Sequence, residues 1–307
     1  MYTDTINHFA KVAKQKAELL ENNPLSFYIG ALMAGAYLGM GVVLVFTVGG
    51  LLDASIRPLV MGASFGIALT LVIFAGSELF TGHTMYTTIG WLQGSIHSKQ
   101  LFKAWGASWL GNLSGALLFG IMVAIGHGAL FNESADLLNA VVSAKMNKGP
   151  VQLFFLGILC NWLVCLAIWT SARTQNDAAK CILIFWCLFA FFASGFEHSV
   201  ANMAVFSIAL LGDHPESVSV VGMFYNLFFV TLGNMVSGAL FMAIGYWLAS
   251  PNAFSDASEP ARKIQTIVHG LFGVIQSIYY SIKKLVVALF NNKLKAGKTA
   301  NSSMKDF

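Results

Sequence analysis

The spacing of charged residues constrains this chain more than any other feature of its sequence. Four stretches contain no Asp, Glu, Lys or Arg: residues 22–52, 104–132, 149–172 and 217–255. Two more, residues 58–98 and 181–212, contain one acid each, Glu78 and Glu197. A helix that crosses a bilayer needs about 20 mostly apolar residues, so each stretch can hold one crossing. The sequence therefore predicts an all-α integral membrane protein with six transmembrane helices.

The composition supports this class and excludes others. Charged residues make up 10% of the 307 residues and hydrophobic residues 56%, whereas a soluble domain has about 25% charged residues. So few charges cannot cover a soluble surface. The same composition excludes a disordered chain and a nucleic-acid-binding protein.

The distribution of lysine and arginine predicts the orientation in the membrane. Fifteen of the 18 lie in the N-terminal segment, the second and fourth loops and the C-terminal tail; the other three are Arg57, Lys145 and Lys148. Basic residues stay on the cytoplasmic side, so both termini are expected there. Residues 1–22 are expected to form an amphipathic helix on the cytoplasmic membrane face, with its apolar side made by Ile6, Phe9, Ala13, Ala17 and Leu20. Residues 23–250 would form the six-span domain.

A short motif occurs twice and indicates an internal repeat. Residues 110–117 read LGNLSGAL, and residues 232–240 read LGNMVSGAL. Small residues alone could serve helix packing. However, the second and fifth spans also match, because each carries one acid beside a glycine, at Gly76-Ser77-Glu78 and Gly195-Phe196-Glu197. A repeat of three crossings must invert in the membrane, so we expect a 3+3 inverted repeat.

Glycine and polar residues interrupt the second and fifth spans. Non-helical backbone at membrane depth persists only where protein or an aqueous cavity surrounds it, so both spans are predicted to be broken helices. After the first break, the Thr-, Gly- and His-rich segment from Thr81 to about Gly94 suggests a re-entrant loop.

Three ionisable residues lie near the predicted breaks. His198 is a functional candidate, because an ionisable group at the membrane centre costs at least about 2.5 kcal/mol. The alternative is a neutral histidine that binds a backbone group. Glu78 and Glu197 are expected to bind free N–H groups of the broken helices and stabilise the loops, since a carboxylate repels anions.

The sequence resembles the formate/nitrite transporter family. The densest matching segments are Asn23–Leu25, Arg57–Ala63, Gly76–Met85, Cys160–Trp169 and Gly195–Met203. The resemblance implies an aquaporin-like six-helix fold, a homopentamer with one pore per protomer, and passage of small monovalent anions. Formate members tend to carry Asp-Leu-Phe-Thr-Ser in the second span, whereas this chain has Glu-Leu-Phe-Thr-Gly-His. That form is similar to the nitrite channels of bacterial inner membranes.

The resemblance also implies roles for individual residues. It places His198 at the pore centre, Asn161 near its ring, and Thr81 on the second-span loop facing it. Lys145 matches the family's basic position in the external region. The positions that narrow the pore are Phe65, Leu69, Leu79, Phe80 and Phe191.

A nitrite channel is the function that the sequence favours. Nitrite is the base of a weak acid, and His198, with a reference pKa of about 6.5, is the expected proton donor at the midplane. In a second version, His198 only donates a hydrogen bond. Formate or hydrosulfide transport is the alternative within the family. No cofactor, metal or nucleic-acid partner is expected.

Two other classes of function are disfavoured. A neutral-solute channel of the aquaporin kind would carry Asn-Pro-Ala turns at the breaks, but none of the six prolines lies there. A membrane enzyme would need a nucleophile beside a base or a pair of metal ligands, and no such cluster is present in the sequence.

The tail, residues 251–307, departs from the family pattern. A helix is predicted over about 261–291, with an apolar seam at heptad spacing and a basic end from Lys283 to Lys298. One hypothesis is an interfacial helix against the inner leaflet, in contact with lipid. The others are a bundle that joins subunits, disorder, or a seventh crossing.

Overall fold

The computed structural model describes residues 2–126, 128–250 and 257–284, apart from 269, 271, 272, 274, 275 and 281. Within these residues all regular structure is helical. The α-helices are α1 Thr3–Asn22, α2 Pro24–Gly50, α3 Arg57–Ser64, α4 Gly66–Ala75, α5 Phe80–Leu92, α6 Ser98–Gly126, α7 Ala135–Met146, α8 Pro150–Ser171, α9 Asp177–Ala193, α10 Ser199–Leu211, α11 Val220–Val236 and α12 Gly245–Leu248. A 3₁₀ turn covers Ala129–Phe131, and a π-helix, Ser237–Ile244, joins α11 to α12.

Five helical segments among the described residues are long and apolar enough to cross a membrane. They are Pro24–Gly50, Arg57–Ala75, Ser98–Gly126, Pro150–Ser171 and Val220–Leu248. The stretch predicted as a broken fifth span is divided between α9, of 17 residues, and α10, of 13 residues. Each of these is shorter than the thickness of a bilayer requires.

The two divided stretches are interrupted at glycines. Helix α4 ends at Gly76, whose φ of 76° is left-handed, and α5 begins at Phe80. In the same way, Gly195 has a φ of 68° between α9 and α10. Glycine adopts this backbone conformation without a steric penalty, so it can stop a helix inside an apolar stretch.

The re-entrant loop expected from Thr81 to about Gly94 is wrong, because Phe80–Leu92 is a helix. The threonines do not compete with its backbone. Thr84 Oγ1 donates to the carbonyl oxygen of Thr81 and Thr88 Oγ1 to that of Thr84, at 2.6 and 2.7 Å. A hydroxyl that donates to a carbonyl oxygen one turn earlier has its hydrogen bond within the helix.

The repeated small residues bring helix backbones together. A Cβ added to Gly115 of α6 would lie 1.9 Å from the carbonyl oxygen of Leu32 in α2. In the second copy, a Cβ on Gly233 of α11 would lie 2.2 Å from the carbonyl oxygen of Phe154 in α8. Each contact excludes any larger residue, so both copies of the motif form helix crossings by close approach.

Helix α1 packs against protein along its predicted apolar face. Ile6, Phe9, Ala13, Ala17 and Leu20 are all buried. The Phe9 ring stacks on Tyr86 of α5 and on Trp169 of α8, with centroids 6.4 and 5.6 Å apart. The face expected to lie on the membrane therefore packs on protein, with Phe9 against α5 and α8 and Leu20 against Phe27 of α2 and Ala104 of α6.

The chain divides into two units, residues 1–257 and 258–307. In the second unit, the described residues between 259 and 284 are helical. Part of the helix predicted over about 261–291 lies outside the described residues, including the seam positions Leu271, Ile275, Leu285 and Leu289.

Candidate functional site

The two interrupted helices meet at a buried threonine–histidine contact. Thr81, in the first turn of α5, has its Oγ1 3.1 Å from Nε2 of His198. His198 precedes the first turn of α10, and its Nδ1 accepts the N–H of Ala201 at 3.1 Å. Because Nδ1 is an acceptor, the neutral ring carries its proton on Nε2. The ring therefore presents an N–H donor beside the Thr81 hydroxyl.

Asn112 of α6 holds the first break. Its Oδ1 accepts the N–H of Phe80 at 2.9 Å, and its Nδ2 donates to the carbonyl oxygens of Ala31 and Glu78 at 2.7 and 2.9 Å. One buried amide thus satisfies the open end of α5 and fastens the break to α2. An unbonded peptide group at this depth would cost several kcal/mol.

Asn234 of α11 holds the second break with the same set of bonds. Its Oδ1 accepts the N–H of Ser199 at 3.0 Å, and its Nδ2 donates to the carbonyl oxygens of Gly157 and Glu197 at 2.8 and 3.2 Å. Sequence reasoning found the motif that contains both asparagines but assigned them no role. Their recurrence in both copies was the signal that could have identified them.

The carboxylate of Glu78 has different partners from those expected. It binds Lys16 of α1 through Oε1, and its Oε2 lies 3.0 Å from Nε2 of His83. The free N–H at the break, that of Phe80, donates instead to Oδ1 of Asn112. A buried carboxylate needs a nearby positive charge to offset desolvation, and Lys16 supplies it.

Glu197 also binds lysines and not the backbone of the break. Its Oε2 lies 2.7 Å from Lys145 Nζ, and its Oε1 lies 2.7 Å from Lys148 Nζ. Asn202 Nδ2 donates to Oε2 at 2.8 Å. Lys145, expected as an external basic residue, is thus one of two cations on a fully buried carboxylate. The loop-stabilising role of both acids stays a prediction.

Asn161 is buried and bonds to Thr81, the residue that contacts His198. Its Nδ2 donates to Thr84 Oγ1 at 3.1 Å and to the carbonyl oxygens of Asn234 and Thr81 at 2.7 and 3.4 Å. Among the described residues, none of its hydrogen bonds runs to His198. It reaches the ring through Thr81, the residue that His198 itself contacts.

Two cavities approach this site from opposite ends. The first, the Lys145 cavity, has a volume of about 350 Å³, and its lining includes Lys145, Lys148 and His198. The second, the Lys16 cavity, has a volume of about 390 Å³, and its lining includes Lys16 and Leu79. Each therefore presents a lysine that pairs with one of the two buried carboxylates.

A narrow segment of about 10 Å³ lies between the cavities. This volume is about the smallest that can hold one water molecule. His198 lines both this segment and the Lys145 cavity, whereas Leu79 lines both this segment and the Lys16 cavity. The other lining residues are Leu38, Phe65, Leu69, Val164, Leu188 and Phe191. Four of the five positions expected to narrow the pore are therefore here. The fifth, Phe80, is buried in the core and is not among the lining residues.

The charge of the Lys145 cavity is positive. Its lining includes Arg57, Lys145 and Lys148, and Glu197 is the carboxylate that the two lysines share. The Arg57 guanidinium donates to the carbonyl oxygens of Gly49 and Leu52. Such a cavity attracts small anions. Among the described residues, no group of three His, Cys, Asp or Glu side chains is placed to hold a metal.

The sequence model described as formate/nitrite transporter matches residues 3–248. The chain belongs to the formate/nitrite transporter family. It is 51% identical over 266 residues to nitrite transporter NirC of Escherichia coli, which covers 87% of this chain and 99% of that protein. Formate channel FocA of the same organism is 30% identical over 78% of this chain and 92% of its own length.

Solved structures of the family superpose on this fold. An FNT family ion channel is 51% identical, with a TM-score of 0.79 over 81% of this chain and 100% of that chain. A pentameric formate channel with formate bound is 27% identical, with a TM-score of 0.65 over 73% of this chain and 96% of that chain. These comparisons confirm the resemblance to the family and to its nitrite branch. The protein is a multi-pass membrane transporter and not an enzyme.

Proposed function

We propose that this family member carries nitrite across the bacterial inner membrane through one pore in each protomer. The observation that carries the proposal is the N–H of His198, placed where a narrow apolar segment separates two lysine-bearing cavities. The 51% identity to NirC of E. coli supports nitrite as the substrate.

The proposed architecture is a 3+3 inverted repeat of aquaporin-like form, in which α3–α5 and α9–α10 are the broken second and fifth spans. The matching hydrogen bonds of Asn112 and Asn234 support the repeat. The pentameric formate channel supports a homopentamer. The excess of lysine and arginine in the even loops and both ends of the chain supports cytoplasmic termini. The Lys145 cavity then opens outward.

The proposed passage has an electrostatic step and a hydrogen-bonding step. Lys145 and Lys148 draw the anion into the outer cavity. In the narrow segment the anion loses water, which is costly at low dielectric. The Nε2–H of His198 and the hydroxyl of Thr81 then donate to its oxygens. These bonds replace part of the lost hydration.

The geometry favours hydrogen bonding by His198 over protonation of nitrite. A neutral ring has one proton and would have to become an anion to give it away. An imidazolium could give a proton, but its second N–H would displace the bond that Nδ1 accepts from Ala201. The donor-only version keeps that bond throughout.

The test is nitrite flux into liposomes that contain His198→Phe or His198→Gln protein. A hydrogen bond to a charged group is worth about 1.5–3 kcal/mol, so His198→Phe should lower flux by about 10- to 100-fold. His198→Gln keeps an N–H donor and should retain more flux than His198→Phe. Gel filtration controls for assembly. Unchanged flux in His198→Phe would overturn the proposal.

The same liposomes separate the two versions of the mechanism. In the donor-only version, His198→Gln has the pH dependence of the wild type. If His198 protonates nitrite, the variant loses that dependence. Formate transport is the second candidate, because formate channels are relatives of this chain. Parallel flux of nitrite, formate and hydrosulfide at two pH values measures the preference.

A further inference from the structure

The second unit is not accounted for by the channel. The family match ends at residue 248, and this unit begins at Ser258. Its described helical residues expose large apolar side chains. The exposed residues and their exposed fractions are Ile267 62%, Ile278 53%, Tyr279 59%, Tyr280 61% and Ile282 55%. Every residue described between 276 and 284 is exposed. The described part of this helix therefore has an exposed apolar surface.

The isoleucines of this unit share one stripe when the sequence is projected at helical spacing. In helical projection, Ile264, Ile267, Ile278 and Ile282 fall within an arc of about 60°. Lys283 and Lys284 project away from that stripe on either side. The pattern is that of a helix with one apolar and one basic polar face.

The charge of the unit favours an anionic partner. Residues 258–307 contain eight Lys and Arg but two acids, Glu259 and Asp306, whereas the net charge of the whole chain is +4. One of those acids is already paired, because Glu259 Oε1 lies 2.9 Å from Lys263 Nζ. This ion pair lowers the pKa of Glu259 through a hydrogen bond and the lysine charge. The cationic excess of the unit therefore exceeds that of the entire chain.

We propose that this helix lies on the cytoplasmic membrane surface and binds the headgroups of anionic lipids. The isoleucine stripe would enter the boundary between headgroups and acyl chains, and the lysines would contact the lipid phosphates. Tyr279, at the edge of the stripe, suits the same depth, where aromatic residues with a polar end are enriched. A lipid surface can therefore contact both the apolar stripe and the basic face of the helix.

The segment that connects this helix to the channel is short. Only residues 249–257 separate α12 from the unit, and they span at most about 30 Å when extended. The tether raises the effective concentration of the helix at the surface, so modest affinity is enough. If this helix formed a bundle with its copies in a pentamer, the like charges of Lys283 and Lys284 from every subunit would be brought together. The proposal does not depend on which anion the pore carries.

The test is hydrogen exchange of the full chain in nanodiscs. Neutral discs contain phosphatidylcholine, and anionic discs also contain phosphatidylglycerol. Amides of residues 262–284 should exchange about tenfold more slowly in anionic discs. At 1 M salt, where the Debye length is about 3 Å, that difference should shrink. Equal exchange in the two lipids would overturn the proposal.

Matched variants identify the groups responsible. Lys283→Glu with Lys284→Glu should abolish the protection by anionic lipid, whereas Lys283→Arg with Lys284→Arg should retain it. Nitrite flux should stay within about twofold of wild type in both, since neither residue lies in the channel unit. Protection that is equal in detergent, neutral discs and anionic discs would indicate a bundle of subunits and would also overturn the proposal.

Discussion

At the scale of single residues, the second lysine on Glu197 has a consequence for transport. Lys145 alone would neutralise the carboxylate of Glu197. With Lys148 added, the cluster of two lysines and one carboxylate has one excess positive charge. The side chain of Lys148 is 25% exposed and lines the Lys145 cavity. Its charge can therefore act on anions in solution as well as on Glu197.

We expect Lys148→Met to slow nitrite uptake about fivefold at low salt, because one attracting charge is lost from the cavity. The defect should fade at high salt, where the attraction is already screened. Initial flux at two ionic strengths is the measurement. Lys148→Arg, which keeps the charge, is the control. The same defect at both ionic strengths would mean that Lys148 acts by supporting Glu197 and not by attracting anions.

Sequence analysis reached some residues of the site and missed the partners of others. Glycine beside an acid in an apolar stretch predicted both interruptions, because little else explains such residues at membrane depth. The partners of the acids were not predictable, since Lys16 lies 62 residues from Glu78 and Lys145 lies 52 from Glu197. Only the folded chain brings them together.

At the scale of elements, each broken span depends on one asparagine in the following helix. The threonines of α5 show why local composition misleads here, because their hydroxyls bond within the helix. Gly, Thr and His were therefore compatible with a helix that is fully buried by its neighbours. What ends the helices is the glycine at each break, and what holds their ends is the amide of Asn112 or Asn234.

We expect Asn234→Leu to destabilise the fold strongly. The change leaves the N–H of Ser199 and the carbonyl oxygens of Gly157 and Glu197 without their bonds. One unsatisfied buried group costs about 1–3 kcal/mol. The apparent Tm in detergent should fall by several degrees, and Asn112→Leu should have a similar effect.

The control for these two variants is Asn147→Leu. The Asn147 side chain is also bonded to the backbone, but at an exposed position, so water can replace its bonds. Its apparent Tm should change little. If the three variants lowered the apparent Tm equally, closure of the breaks would not be the reason for the loss.

At the scale of the whole molecule, the proposed pore consists of two lysine-bearing cavities and a narrow apolar segment between them. Phe65, Leu69 and Phe191 resemble ordinary core residues in the sequence, and only the family resemblance indicated their positions. Their common cavity exists because the interrupted spans meet there. The periodicity of apolar residues in one span carries no information on its distance to another span. The narrow segment could therefore not be predicted without the structure.

Access from each side of the membrane tests this arrangement. We expect Leu137→Cys, in the Lys145 cavity, to react with an anionic methanethiosulfonate from outside intact spheroplasts. Val12→Cys, in the Lys16 cavity, should react only in inside-out vesicles, because the narrow segment of about 10 Å³ stops the reagent. Both variants also carry Cys181→Ser and Cys187→Ala, since Cys160 and Cys165 are already buried.

The buried neighbour Leu138, which is 2% exposed, provides the matched control. Leu138→Cys lies on the same helix as Leu137 but outside the cavity lining, so it should react from neither side. Reaction of both cavity cysteines from one side would mean that the narrow segment is not a barrier. Reaction from exchanged sides would reverse the proposed orientation, because the cavity that bears Lys145 and Lys148 would then open to the cytoplasm.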